Sequence, residues 1–109
     1  MTRLPMSRAA AALFRSLLLR TGGERDRILL SQVDSTDWHS LIFTGERHQF
    51  LLHLTGPDAE GAFRALTDGL EDAEFAIPGQ IVADIRADRR PESAEGSIAV
   101  AVEALTIAE

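Results

Sequence analysis

The run SIAVAVEALTI (97–107) is apolar on both of its sides. Ile98, Val100 and Val102 would share one face of a strand, while Ala99, Ala101, Leu105 and Ile107 take the other, and a strand covered on both faces belongs inside a sheet. Its neighbours follow from the connections. QIVADIRA (80–87) precedes it across the polar loop DRRPESAEG, with Ile81, Ala83 and Ile85 expected on one face. Pro78 and Gly79 in FAIPGQ fit the two central positions of a type II turn opening that strand.

Three more strands are expected upstream. DRILLSQVDS (26–35) reads as the first, and Trp38–Thr44 and Arg47–Thr55 as the second and third, joined by a two-residue turn at Gly45 and Glu46. That turn would set Trp38 opposite His53.

Two segments have helical periodicity. From Met6 to about Arg20 nothing interrupts a helix, Pro5 can open it, and Gly22 and Gly23 can close it. At 100° per residue Met6, Ala10, Leu13, Phe14, Leu17 and Leu18 fall on one arc with Arg8 and Arg15 opposite. The second helix starts in GPDAEGAFRALTDGLED, with Pro57 at its first position, Asp58 and Glu60 in its first turn, and a buried stripe of Ala59, Ala62, Phe63, Leu66 and Leu70.

The expected class is therefore α+β, in the chain order α-β-β-β-α-β-β. It has an antiparallel sheet of about five strands, one helix packed on it and an N-terminal amphipathic helix. Residues 1–21 would form the basic helix, 22–26 a glycine-containing linker, and 27–109 a single domain, a size that buries one core.

Composition removes whole classes of chemistry. All eleven basic residues are arginine, and lysine, cysteine, tyrosine and asparagine are absent. Without lysine there is no Schiff base and no phosphate-loop ammonium; without cysteine there is no thiol nucleophile, disulfide or thiolate metal site. Such arginine usage is what a GC-rich bacterial genome produces. Charge is also split: residues 1–20 carry four arginines and no acid, whereas the rest has seven arginines against seventeen acids. An acidic body disfavours nucleic acid, whose binding depends on neutralising phosphates. The apolar run AAAALF is too short for a signal-peptide core and nothing approaches a membrane span, so a cytoplasmic protein is expected.

All three histidines and Trp38 lie in DWHSLIFTGERHQFLLHLTGPD. A metal or catalytic site needs its side chains to converge, and alternation places His39 and His48 on one face and His53 on the other. No cofactor is expected. The favoured reading is a protein-interaction or homodimerisation module without catalytic activity, whose candidate surface is Trp38, Ser40, Ile42, Gln49, Leu51 and His53. The N-terminal helix, through Arg8, Leu13, Phe14, Arg15, Leu17 and Leu18, is a second candidate contact.

Two alternatives stand beside it. One is a small-molecule-binding or hydrolytic domain using His53 with Asp37, since histidine is the side chain that titrates near neutrality; Ser40 would complete a triad on paper. The other is binding to an anionic membrane or nucleic acid through Arg3, Arg8, Arg15 and Arg20. The carboxylates Glu71, Asp72 and Glu74, and Arg89 and Arg90 in the loop, read as solvated charge.

Overall fold

Alternating strands of the chain build one antiparallel sheet, and the two helices carry apolar stripes that cover one side of it. In a computed structural model describing residues 6–22, 28–91 and 96–109, the order is α1 (Arg8–Arg20), β1 (Ile28–His39), β2 (Thr44–Thr55), α2 (Ala59–Thr67), β3 (Gln80–Arg89) and β4 (Ser97–Ala108). A 3-10 turn at Leu70–Asp72 follows α2. Arg3, Pro5 and most of the expected 22–26 linker lie outside the described residues.

The protein is α+β with four strands in the order β1-β2-β4-β3, every neighbour antiparallel. The expected five strands become four because DSTD does not break the first one. β1 runs on through it to His39, with Ser35 opposite His48 and Trp38 opposite Gly45. The hairpin turns instead at residues 40–43. Gly45 and Glu46, read as the turn, are paired in β2, where Gly45 faces Ile107 of β4. Glycine is used there for close approach, since an added methyl group would collide with the Thr106 backbone carbonyl.

The doubly apolar strand is interior as its pattern requires: β4 lies between β2 and β3. Ile98, Val100 and Val102 are buried together with Phe50, Leu52 and Leu54 of β2 under the helices. The type II turn also forms, with Gly79 at φ 72° and the Gln80 N–H donating to the Ile77 carbonyl at 3.1 Å. In β3, however, a bulge between Val82 and Asp84 puts Ile81 opposite Ile107 and Ile85 opposite Ala104. Ile81 and Ile85 therefore face opposite ways, because one extra residue inverts a period of two. A matching bulge sits between Leu30 and Gln32 of β1.

Helix α1 begins after Ser7, whose hydroxyl accepts the Ala10 N–H at 3.1 Å. Leu13 and Leu17 are buried in the core, and the Phe14 ring stacks near Phe50 with centroids 6.4 Å apart. Arg20 ties α1 to α2 by donating to the Leu66 and Asp68 carbonyls. At the far side Arg89 of β3 makes two hydrogen bonds to Glu60, at 2.8 and 3.1 Å, and lies over the Phe63 ring. These contacts make both helices part of the same core.

Leu13→Ala removes a fully buried side chain and is expected to cost about 2–5 kcal/mol of unfolding free energy. Gly45→Ala is expected to cost about 1–3 kcal/mol through the clash with β4. Urea unfolding measures both, and a Leu13→Ala midpoint equal to wild type would mean that α1 is not docked.

Candidate functional site

Residues 40–43 close the β1–β2 hairpin with an apolar tip. The Ser40 N–H donates to the Phe43 carbonyl at 2.9 Å, and the Ser40 hydroxyl accepts the Phe43 N–H at 3.3 Å. This local pairing explains how a loop without glycine or proline turns the chain. It leaves Leu41, Ile42 and Phe43 outside the hydrophobic core, at 103%, 81% and 47% exposure. Burying each such side chain stabilises by about 1.5–3 kcal/mol, so three held open in water favour a covering partner.

The sheet side away from the helices continues from this tip. Trp38, Ile107 and Ile81 lie in one lateral row with Gly45, and Leu105 follows in the next. The middle rows are charged. Glu103 accepts two hydrogen bonds from Arg86, at 2.8 and 3.2 Å, and Arg47 approaches it to 4.0 Å. The Arg86 guanidinium is the main reason its carboxyl stays below the usual carboxylate range. A shallow concavity of about 560 Å³ opens there, lined by Gln32, Asp34, Gln49, Leu51, Arg86 and Asp88 among others. The open face is thus apolar at its tip end with an ion-paired centre.

The candidate surface residues are distributed along this side and the tip. Gln49, Leu51 and His53 follow one another on the open face of β2, Trp38 sits at the tip end of β1, and Ser40 and Ile42 belong to the turn. The expected Trp38–His53 pair does not form: Trp38 lies opposite Gly45 and His53 opposite Leu29. The shifted turn moves them eight ladder positions apart, roughly 26 Å.

The hydrolytic arrangement of His53 with Asp37 and Ser40 is likewise separated. Asp37 pairs with Glu46 on the opposite side of the sheet from His53, whose ring bonds Ser31 at 3.1 Å. The histidines diverge as the alternation requires: His48 is buried, His53 is on the open side, and His39 is exposed beside the tip. Among the described residues no three His, Asp or Glu side chains are grouped to hold a metal ion. Of the anion-binding arginines, Arg20 is engaged with α2 carbonyls, while Arg8 and Arg15 are exposed. Arg89 belongs to strand β3 and not to the loop, and it clasps Glu60 and Phe63.

A polar chain that periodicity did not reveal crosses the core. His48 has 0% exposure and joins Ser35 through Nδ1 at 2.7 Å and Thr106 through Nε2 at 2.9 Å. Thr106 in turn reaches the Glu46 carbonyl at 3.5 Å, which can only accept. The consistent assignment has Ser35 donating to Nδ1, Nε2–H donating to Thr106, and Thr106 donating to Glu46. A serine bonded to a histidine resembles a nucleophile with its base, yet a neutral threonine stands where a carboxylate would support the imidazolium. Burial pushes the His48 pKa below its ordinary value of 6.5, and the Glu46 charge offsets this only in part. The chain is therefore a satisfied core network.

No family model matches this sequence, and no curated protein does. Among solved structures, a chain in the virion of a native gene transfer agent particle superposes with a TM-score of 0.53 over 91% of this chain and 92% of that one, at 18% identity. The two share a fold. No described helix is long and apolar enough to cross a membrane.

Because the folded state favours neutral His48, its contribution is complete above the unfolded-state value near 6.5 and is lost as pH falls through the lower folded-state value. Thermal unfolding between pH 7.5 and 5 is expected to show this decline, and His48→Leu to flatten it. At pH 7.5 the same variant should cost about 1–3 kcal/mol by leaving the Ser35 hydroxyl without its acceptor and the Thr106 oxygen without its donor. Equal pH slopes for both proteins would disprove the assignment.

Proposed function

We propose that the protein is a non-catalytic interaction module, a subunit that self-associates and takes its place in a larger protein assembly. The observation carrying this reading is the apolar hairpin tip Leu41-Ile42-Phe43, held out in water by two paired twelve-residue strands. A turn selected only to reverse the chain favours glycine, asparagine, aspartate, serine and proline, which cost nothing to expose. The separation of His53 from Asp37, and the burial of His48 behind two neutral hydroxyls, favour binding over hydrolysis.

The shared fold with a chain of a gene transfer agent virion supports an assembly of that multi-subunit kind. Trp38, Ser40, Ile42, Gln49, Leu51 and His53 form the contact side in this reading, and a homodimer is its smallest product. Bacterial cytoplasm is the compartment in which it would assemble. A net charge of −6 disfavours nucleic acid as the partner.

Sedimentation velocity at tens of micromolar is expected to give the mass of two or more chains, with Ile42→Asp shifting the distribution toward one chain. Wild-type protein sedimenting as a single chain throughout that range would refute self-association.

A further inference from the structure

We propose that the hairpin tip of one copy seats in the groove between α1 and the start of β3 of a second copy. The proposal rests on the self-association reading and assigns its two surfaces. The groove measures about 570 Å³, with Ala9, Ala12, Ile77 and Pro78 among its lining and Arg8 and Arg15 at its border. Its size is that of pockets which enclose a compact apolar group.

Charge selects the same pairing. Asp37 and Glu46 sit directly opposite each other on the ladder just behind the tip, so the apolar end is followed by two carboxylates. The groove presents two exposed guanidiniums on a helix whose described residues carry no acid. Opposite charges around an apolar centre steer association and fix its orientation.

Geometry directs the contact to another molecule. The β1–β2 ladder remains paired to His39 and Thr44, which holds the tip at the β1 side of the sheet. The groove lies by the start of β3, the opposite edge strand in the order β1-β2-β4-β3. Strand addition is the competing mode, and both edges oppose it: each carries a bulge, β1 has Asp34 and Asp37, and β3 has Asp84 and Asp88. The two surfaces differ, so a single tip–groove contact leaves one tip and one groove over, which either engage each other reciprocally in a closed two-fold dimer or recruit a further copy.

Mixing two defective variants tests this. Ile42→Asp spoils the tip and leaves the groove intact; Arg8→Glu with Arg15→Glu spoils the groove and leaves the tip. Ile42→Ser serves as a milder tip variant, and unchanged thermal unfolding confirms that each is folded. Each alone is expected to lose association tenfold or more, and an equimolar mixture to form a one-to-one heterodimer through the single intact tip–groove contact. Variants that stay associated as wild type does, or weakened variants that fail to pair on mixing, would overturn the proposal while leaving self-association standing. Wild-type protein that is monomeric from the outset would overturn both.

Discussion

The long pairing of β1 with β2, continued past one bulge, is the constraint on which the rest of this surface depends. It carries the hairpin from Ile28 opposite Leu54 to His39 opposite Thr44, and β2 is in turn paired along its length with β4. A two-stranded ribbon by itself is marginal in water. Anchored on β4 and covered by the helices, it can hold an apolar tip clear of the core. Had the chain turned at Gly45, Leu41, Ile42 and Phe43 would have been strand residues with partners on both sides.

Both faces of the sheet are specified by what lies against them. The helix side is filled by Leu13, Leu17, Phe50, Leu52, Leu66 and Val100, and admits polar atoms only where they are paired, as in the Ser35–His48–Thr106 chain. An unpaired buried polar atom costs roughly 1–3 kcal/mol, and among the described residues every buried side-chain nitrogen or oxygen has a partner. Among the described residues no helix or strand lies over the other side. Its centre is held by ion pairs around Glu103, which remain soluble without a cover, while the tip remains apolar.

The parts of the fold visible in the sequence were those governed by local chemistry. The Pro78-Gly79 turn, most of the helical stripes and the interior place of β4 each depend on a few adjacent residues and form, but α2 starts at Ala59 after Asp58, so Pro57 precedes the helix, and Met6 lies exposed ahead of α1. The hairpin turns elsewhere than local signals indicate: Gly45-Glu46 resembles a tight turn, whereas Ser40–Phe43 contains two residues that favour strands, Ile42 and Phe43. Long-range pairing decided between them, since β4 extends far enough to hold Gly45 in the ladder. The bulges in β1 and β3 were invisible for a similar reason, because alternation cannot signal where one residue is skipped.

By itself the sequence determined that the chain is α+β, that its sheet is antiparallel, that thiol and lysine chemistry are absent, and that His53 faces away from His39 and His48. Those conclusions follow from residue type, period and parity. Tertiary structure decided where the strands end, which side the helices cover, and that His48 finds Thr106 fifty-eight residues away. Register is a property of two strands together, so the same period-two pattern fits several alignments. Once β4 fixed one of them, Trp38 and His53 fell far apart on the ladder and three apolar residues were left at the tip.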